Sequence, residues 1–352
     1  MDALPEPPAS SFASDNYAGA SPEVMAALAA VNEGPAPAYG ADPHTDSAVE
    51  AFRELFGLPV EVRFCWGGTG ANVVGLASVL QGWQSVITVD SAHIVVDECG
   101  APARFTGATV TPVPAVDGKL VPEAVAPFLE WQGVEHHPQP RALSVSQATE
   151  LGTVYRADEL AALAELAHAH DMVLHVDGAR IANAVAASGA SIRELIVEPG
   201  VDLMTFGLTK DGAVYGEAVV YLQPELAEAA SYVRKQAGQL PSKGRYIAAQ
   251  ANALLADDLW LRNAAHANAM ARRLADRVEQ IPEVELIGRP EANALFVRIP
   301  WDRLEELQAW SFFWEWDPGD SLVRWMTSFA TTELDVDRFA AGIAAILGRP
   351  AR

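Results

Sequence analysis

An acid and a lysine each stand at the end of an apolar run in this chain of 352 residues. The first run, LHVDGAR, carries Asp177 and Arg180, and the second, TFGLTK, ends in Lys210. Both runs have the character of buried strands, and open α/β sheets build their sites at the carboxyl ends of such strands. The pairing suits pyridoxal phosphate, because a lysine holds its aldehyde as a Schiff base while a carboxylate keeps the pyridine nitrogen protonated. We therefore predict that Asp177 and Lys210 converge on one ligand.

Each of these residues also has an ordinary structural interpretation. Lys210 is by default a solvated lysine, although its place at a strand end, directly after the candidate phosphate donor Thr209, favours a site. Asp177 would equally suit a helix cap or a magnesium ligand. Arg180 points to an anion, because a guanidinium binds a carboxylate through two parallel hydrogen bonds. The spacing alone leaves these alternatives open.

A glycine-rich turn, WGGTGANVVG, occupies residues 66–75 between an apolar run and a helical pattern. Backbone N–H groups at such a turn, with the helix dipole behind them, bind phosphate. A dinucleotide-binding turn is the rival, because Asp90 ends the next apolar run about 20 residues later. Against that rival, Val73 stands at the third glycine position of the GxGxxG pattern. A purely structural turn is the third interpretation, and Lys210 makes phosphate binding the one we favour.

Three further features are candidate site components. His93 follows an apolar run, where an imidazole can stack on an aromatic ring or move protons, although a lone histidine is more often structural. Arg324 lies among apolar residues in LVRWMTSFA and needs an anionic partner, either a substrate carboxylate or an internal acid. The basic run at residues 234–245 is either a solvated helix end or a phosphate clamp presented to a neighbouring subunit.

The composition limits which partners and which cellular locations we expect for this protein. Forty-six acidic residues against 24 basic ones give a formal net charge of −22, which argues against nucleic acid or an anionic membrane as the main partner. No apolar run approaches the roughly 18 residues of a membrane span, and no signal-peptide pattern is evident, so we expect a soluble cytoplasmic protein. Cys65 and Cys99 lack metal or disulfide spacing, which predicts two buried thiols and no metal site. Prolines in the first ten residues predict a frayed tail.

The order of the patterns predicts an α/β protein. Between residues 60 and 222 short apolar runs alternate with helical patterns, which favours a mainly parallel sheet covered by helices. A long helical stretch at 244–281 is interrupted near 256–259, and α+β patterns follow it. We therefore predict a large domain at residues 1–255, which includes an N-terminal arm, and a small C-terminal α+β domain at residues 256–352.

Nine segments, in order along nearly the whole chain, resemble the low-specificity L-threonine aldolases, and most of all the branch that includes phenylserine aldolase. They are SDNYAG (14–19), YGADPHT (39–45), GTGAN (68–72), AHIVVDECGAP (92–102), QATELGTVY (147–155), LHVDGARIANA (174–184), FGLTKDG (206–212), KQAGQLPSKGR (235–245) and ANALLADDLWLRNAAHANAMA (251–271). The resemblance implies the aminotransferase-like fold type I of pyridoxal phosphate enzymes, with a mainly parallel seven-stranded sheet. It also implies a homodimer or homotetramer with active sites at the subunit interface.

The resemblance further implies cleavage of L-threonine and other L-β-hydroxy-α-amino acids, phenylserine among them, to glycine and an aldehyde. It makes Lys210 the Schiff-base lysine, Asp177 the partner of the pyridine nitrogen, and His93 the histidine stacked on the cofactor and implicated in proton transfer. The other cofactor contacts that it implies are Gly68, Thr69 and Gly70 in the phosphate loop, Arg180 near the phenolic oxygen, and Arg245 toward a neighbouring subunit's phosphate.

The substrate side of the site follows from the same resemblance. Groups around the substrate carboxylate are Ser14, Arg180 and Arg324, and Tyr39 is a further candidate substrate contact. Glu150 stands where one branch has the histidine of a THN motif near the substrate hydroxyl, so we take it as a candidate catalytic residue. Asp211 and Tyr215 stand where asparagine and glycine are expected after the lysine.

Three other functions fit parts of this pattern. A β-eliminating lyase of the same fold would share every cofactor residue and differ in which substrate bond stands perpendicular to the cofactor ring. A nicotinamide dehydrogenase would use the glycine-rich turn for a dinucleotide. A non-catalytic binding protein would keep the fold without turnover, which the intact set of Lys210, Asp177 and Arg180 disfavours. The residues do not separate threonine from allo-threonine or aromatic substrates.

Overall fold

A seven-stranded sheet organises the larger part of the computed structural model, which describes residues 4–349. Its strands are β1 (Glu61–Cys65), β2 (Gln84–Val89), β3 (Thr109–Val113), β4 (Gln139–Ser146), β5 (Val173–Gly178), β6 (Leu203–Gly207) and β7 (Glu217–Tyr221). They lie in the order β1-β7-β6-β5-β4-β2-β3. Strands β2 to β6 pair in parallel, and β7 is antiparallel to both β6 and β1. The predicted α/β class with a mainly parallel sheet is confirmed.

Helices cover both faces of this sheet and continue into the C-terminal part of the chain. Their bounds are α1 (Pro22–Ala30), α2 (Pro43–Phe56), α3 (Gly68–Val79), α4 (His93–Val96), α5 (Ala101–Thr106), α6 (Pro122–Leu129), α7 (Ala157–Ala169), α8 (Ile181–Ser188), α9 (Ala230–Gln236), α10 (Arg245–Leu255), α11 (Leu259–Val278), α12 (Leu304–Trp310) and α13 (Glu333–Leu347). Every residue of β5, β6 and β7 is buried, as expected for strands sandwiched between helices.

Local sequence explains where α2 begins and ends. The Asp42 side chain accepts hydrogen bonds from the backbone N–H groups of His44 and Thr45, which satisfies donors that the first helical turn leaves open. Gly57 ends the helix in the left-handed conformation, at φ 66°. The apolar face of α2 then packs Phe52 against Phe206 of β6, with ring centroids 5.1 Å apart. This contact anchors the strand that leads to Lys210.

A second, antiparallel sheet lies in the C-terminal part of the chain. Its strands are β8 (Glu285–Leu286), β9 (Ala294–Arg298), β10 (Trp314–Asp317) and β11 (Leu322–Met326), in the order β10-β11-β9-β8. Its core is a cluster in which the Trp325 and Phe339 rings lie 5.2 Å apart. Helix α11 joins the two cores, because Trp260 packs with the first and Leu274 with the second. A domain division after residue 255 stays a prediction.

The N-terminal residues are bound to the C-terminal core, so the predicted frayed tail is wrong from residue 5 onward. Asp335 accepts hydrogen bonds from the backbone N–H groups of Ala9 and Ser10, at 2.8 and 3.2 Å. Phe12 is fully buried and stacks on Phe339 with ring centroids 4.1 Å apart. The partners lie more than 300 residues away along the chain, which is why local composition did not reveal them. Residues 1–3 lie outside the described residues.

The two thiols differ in their surroundings. Cys65 ends β1 and is buried, as predicted, whereas Cys99 is exposed and the prediction of a buried thiol there is wrong. Cys99 lies in a turn after α4, with φ 51°. Among residues 4–349, no helix is both long enough and apolar enough to cross a bilayer.

Candidate active site

The carboxyl ends of β4, β5 and β6 meet at one edge of the large sheet, where a single cavity opens. Because the strands are parallel, residues at their carboxyl ends lie side by side even when they are far apart in sequence. The cavity is lined by Gly68, Asn72, His93, Glu98, Ser146, Ala148, Glu150, Asp177, Ala179, Arg180 and Lys210. The structure thus brings together six of the residues proposed from the sequence: Gly68, His93, Glu150, Asp177, Arg180 and Lys210.

Asp177 is held rigidly near the end of β5. Its Oδ2 accepts a hydrogen bond from Asn72 Nδ2 at 2.7 Å, and its Oδ1 accepts one from the backbone N–H of Ala179 at 3.0 Å. Its side chain makes no ion pair with any cation of the described chain. Two residues earlier, burial lowers the pKa of His175 to about 4, so that imidazole is neutral near pH 7 and does not neutralise Asp177. The carboxylate is therefore oriented yet still available to a cationic group.

His93 begins α4 and belongs to a chain of hydrogen-bonded side chains. Its Nδ1 lies 2.9 Å from Oε1 of Glu98, and the same oxygen accepts a hydrogen bond from Asn72 Nδ2 at 2.8 Å. The Glu98 side chain is fully buried, whereas His93 is 44% exposed toward the cavity side. The hydrogen bond that His93 makes to the Glu98 carboxylate raises the pKa of His93, which outweighs the opposing effect of partial burial.

Glu150 is the second carboxyl of the cavity. Its Oε1 accepts hydrogen bonds from the Ser146 hydroxyl at 2.6 Å and from the backbone N–H of His93 at 2.9 Å. Its Oε2 is buried and has no hydrogen-bond partner among the described residues. Burial raises the pKa of Glu150, and these two hydrogen bonds offset only part of that effect. One oxygen is thus held by two donors, and the other has no donor among the described residues.

The glycine-rich turn forms the amino terminus of α3. Gly67 caps the helix without a side chain, so the first N–H groups, at Gly68, Thr69 and Gly70, lack the partners that a helix interior supplies. A β-carbon at Gly70 would come within 2.2 Å of the Gln239 side-chain amide, so any other residue there would displace that amide. Gln239 in turn accepts a hydrogen bond from the backbone N–H of Trp66 at 3.0 Å. The basic run at residues 234–245 was considered as a phosphate clamp because of its cations. Its contact with the glycine-rich turn, however, is made by the Gln239 side-chain amide.

Arg180 forms an ion pair that sequence reasoning missed. Its Nε and Nη2 donate to the two carboxylate oxygens of Asp15 at 2.7 and 2.9 Å, and Asn293 Nδ2 donates to Asp15 at 3.1 Å. Although burial opposes ionisation of Asp15, the Arg180 guanidinium lowers the pKa of that carboxyl below its usual value. The neighbouring Ser14 caps a short 3₁₀ turn by accepting from the backbone N–H of Asn16. The segment SDNYAG therefore contacts the site through Asp15, whereas Ser14 does not line the cavity and its role stays a prediction.

Arg324 lies on β11, close to Arg180 but outside the cavity lining. Its Nε is buried without a hydrogen-bond partner, and its guanidinium lies 5.3 Å from the centroid of the Trp316 ring. Burial lowers the pKa of Arg324, and the positive charge of Arg180 lowers it further. No acid of residues 4–349 forms a salt bridge with it, so the internal-acid alternative finds no support. A partly buried cation without a salt-bridge partner among the described residues is a favourable place for a ligand carboxylate.

Three predicted contacts lie elsewhere in this chain. Tyr39 and Arg245 do not line the cavity: Tyr39 is exposed beneath the Lys235 ammonium, and Arg245 donates to the carbonyl of Gly34 at 3.0 Å. The Thr209 hydroxyl donates to the carbonyl of Gly216 at 3.2 Å instead of standing free. The roles of all three residues stay predictions.

Comparison with known proteins assigns the family. The model of the beta-eliminating lyases matches residues 11–300. This chain belongs to that family. It is 42% identical to the low-specificity L-threonine aldolase of a Pseudomonas species over 339 residues, which are 96% of this chain and 97% of the relative. It is equally similar to the enzyme of the same name from Pseudomonas aeruginosa, at 42% identity over 340 residues. The predicted family is confirmed, which decides against a nicotinamide dehydrogenase.

Solved structures agree with this assignment. The threonine aldolase of Leishmania major superimposes with a TM-score of 0.89 at 30% identity, covering 96% of this chain and 99% of that one. An Escherichia coli protein with a methionine aminotransferase function gives a TM-score of 0.70 at 14% identity, which shows a shared fold alone. The aminotransferase-like fold predicted from the resemblance is therefore confirmed.

Asp211, next to Lys210, is expected to make stability depend on pH. It is 8% exposed, its Oδ2 has no partner among the described residues, and burial raises its pKa well above 3.8. A raised carboxyl pKa stabilises the folded state at low pH, and this stabilisation is lost as pH rises through the folded-state pKa. Asp211→Asn should therefore unfold at higher urea concentration than the wild type at about pH 8, with a smaller difference at about pH 5.

The exposed Asp302 provides the control for this comparison. Asp302→Asn removes the same charge from the surface and should leave the urea midpoint nearly unchanged at both pH values. If Asp211→Asn were less stable than the wild type at the higher pH, the buried carboxylate would be stabilising the fold and our interpretation would be wrong.

Proposed function

We propose that this protein is a pyridoxal phosphate-dependent aldolase that cleaves the Cα–Cβ bond of L-threonine and related L-β-hydroxy-α-amino acids. The products are glycine and the aldehyde that carries the former β-carbon. One observation carries the proposal: Lys210 and Asp177 meet His93 and Glu150 in one cavity, in a chain that is 42% identical to L-threonine aldolases over nearly its whole length.

The residues of the cavity fit this cofactor chemically. Lys210 would supply the amine that holds the aldehyde carbon, and Asp177, which lacks an internal counterion, would pair with the protonated pyridine nitrogen. The open N–H groups of Gly68, Thr69 and Gly70 would receive the phosphate. When bound, pyridoxal phosphate supplies an electron sink for the electron pair released by bond cleavage at Cα.

The arginines determine which bond breaks. Arg324, a partly buried cation whose Nε has no hydrogen-bond partner, would bind the substrate carboxylate, and Arg180, held by Asp15, would fix the other side of it. A carboxylate held in this way sets the rotation about the bond between Cα and the amine. The bond that stands perpendicular to the cofactor ring is the one that breaks, so the clamp selects Cα–Cβ over Cα–H.

Two groups would handle protons. Glu150 offers its unpartnered Oε2 to the β-hydroxyl, because a carboxyl with a raised pKa is a stronger base than an ordinary one. His93, which is hydrogen-bonded to Glu98, would hold a second proton and deliver it to Cα. The hydroxyl loses one proton and Cα gains one, so threonine yields glycine and acetaldehyde without loss of water or ammonia.

The quaternary arrangement is part of the proposal. A homodimer or homotetramer with sites at the subunit interface would explain why Tyr39 and Arg245 lie outside the cavity of their own chain. Exposed aromatic side chains near the glycine-rich turn, among them Trp66 at 45% exposure, would become buried in such a contact. The cytoplasmic location predicted from the composition stays a prediction.

Covalent attachment of the cofactor tests the proposal at Lys210. Borohydride traps a lysine–aldehyde bond, so reduction of the wild type with pyridoxal phosphate should label one peptide, at Lys210, and abolish aldehyde release from L-threonine. Lys210→Ala should take no label at that peptide and should lack the visible band of roughly 400 to 430 nm. Lys119→Ala, which loses a lysine paired with Glu159 instead, should behave like the wild type. Labelling at another lysine would contradict the assignment.

Removal of the proposed carboxylate clamp should affect substrate use more than cofactor binding. Arg324→Ala is expected to lower kcat/KM for L-threonine roughly 10- to 100-fold, the value of a lost charge-assisted hydrogen bond. Arg298→Ala removes an arginine from the adjacent strand, where surface acids pair with it, and should change kcat/KM little. Steady-state aldehyde release measures both, and unchanged kinetics in Arg324→Ala would remove this residue from the site.

Glu150→Gln tests the proposed hydroxyl base. Glutamine retains an oxygen for the hydrogen bonds from Ser146 and the backbone of His93 but cannot take up the proton. We expect kcat to fall by about 10² to 10⁴, as is usual for loss of a general base, while the visible cofactor band is unchanged. Glu165→Gln, on the exposed face of α7, is the matched control. Full kcat in Glu150→Gln would assign the proton to another group.

A further inference from the structure

A chain of hydrogen bonds between side chains runs from the cavity into the sheet and connects His93 with Asp177. It starts at His93, passes through Glu98 and Asn72, and ends at Asp177, with donor–acceptor distances of 2.9, 2.8 and 2.7 Å. Glu98 is 4% and Asn72 is 1% exposed.

The orientation of the Asn72 amide is fixed by a fourth residue. The Thr205 hydroxyl donates to Asn72 Oδ1 at 2.8 Å, so the amide oxygen faces Thr205 and the NH₂ group faces the carboxylates. The opposite orientation would place the amide oxygen against two carboxylates and leave three acceptors together without a donor. Asn72 Nδ2 therefore donates one hydrogen to Glu98 and the other to Asp177, and it joins two acids that would otherwise repel each other.

Glu98 then determines the state of His93. A carboxylate oxygen is an acceptor, so the Nδ1 atom that lies 2.9 Å from it carries the proton. The proton on Nδ1 leaves Nε2 as the nitrogen that exchanges protons with the cavity. Glu98 Oε1 already binds Asn72, which prevents the carboxylate from turning away with the imidazole. The ring is thereby fixed in one tautomer as well as one orientation.

We propose that Glu98 is a positioning residue that holds the proton on His93 Nδ1 and keeps Nε2 ready to protonate Cα, with Asn72 tying this dyad to Asp177. The inference rests on the proposed function, because it specifies how His93 would serve the aldolase. The protonated ring would give the Nε2 proton to Cα, the Cα–H bond forms, and a neutral imidazole with Nδ1–H on Glu98 is left. Glu150 holds the proton taken from the substrate hydroxyl, and its transfer to Nε2 through solvent restores both groups, so the cycle balances.

Several charged groups surround the imidazole and define the pH dependence. Glu98 and Asp177 favour the protonated ring, Lys210 opposes it, and Glu150 accepts from the backbone N–H of His93. Removal of the Glu98 charge should therefore leave Lys210 and partial burial to favour the neutral ring. We therefore expect the pKa of His93 to fall when the Glu98 charge is removed.

Titration of His93 by NMR tests the proposal without reliance on turnover. The enzyme loaded with pyridoxal phosphate is labelled with ¹³C and ¹⁵N in its histidines, and the His93 signal is identified by its loss in His93→Asn. In the wild type, the ¹⁵N shifts should show Nδ1–H in the neutral ring. In Glu98→Gln, which keeps an acceptor for both hydrogen bonds, the pKa of His93 should fall by about one pH unit or more. Circular dichroism and the visible cofactor band check that the variant is folded and loaded.

Asp97→Asn is the matched control, because it removes the same charge from an exposed neighbouring position. The proposal is overturned if Glu98→Gln changes the His93 pKa no more than Asp97→Asn does. It is equally overturned if the wild-type ring carries its neutral proton on Nε2, a result that needs no folded variant. Failure of the proposed function would appear separately, as a wild type that binds the cofactor and titrates as expected but releases no aldehyde from L-threonine.

Discussion

The amide of Asn72 is the contact on which the site depends. Glu98 and Asp177 are two buried acids, and buried like charges repel each other unless donors lie between them. Asn72 supplies both donors from a single nitrogen, with its oxygen fixed by Thr205. It stands one helical turn after Gly68 in α3, so the helix that presents the glycine-rich cradle also orients the acid at the end of β5. The proposed phosphate loop, pyridine partner and histidine dyad would thus be positioned by one helix packed on one sheet.

Charge is distributed unevenly in this strongly acidic chain. The chain carries a formal net charge of −22, and its cavity brings Lys210 and Arg180 together with Glu98, Glu150 and Asp177, while Arg324 lies near Arg180. Of these three cations, Arg180 forms an ion pair within the described residues, with Asp15 on the N-terminal segment. The anchoring of that segment on the C-terminal core, through Phe12 and Asp335, therefore belongs to the construction of the site. An anionic cofactor with an amino acid substrate would complete the charge balance that the chain leaves open.

Sequence patterns predicted those parts of the site that follow from one strand at a time. Asp177, Lys210 and His93 each follow an apolar run, and the parallel arrangement of the strands then brings them to one edge. The bidentate Asp15–Arg180 pair joins residues 165 positions apart, and no local pattern encodes it. The hydrogen bonds that Asn72 makes to Glu98 and Asp177 were likewise not predicted, because they join different elements of the fold. Strand β10, with the sequence WEWD, was not predicted. It is largely exposed and forms an edge of the small sheet, so its residues need not alternate between apolar and polar.

The central claim is that this site breaks the Cα–Cβ bond of a β-hydroxy amino acid and not another bond at Cα. The fate of uniformly ¹³C-labelled L-threonine, followed by NMR with the purified protein and pyridoxal phosphate, tests it most directly. The structure predicts labelled glycine and acetaldehyde in equal amounts, with no ammonia released. Formation of 2-oxobutanoate with an equal amount of ammonia, the outcome of β-elimination, would contradict the account while leaving the cofactor site intact.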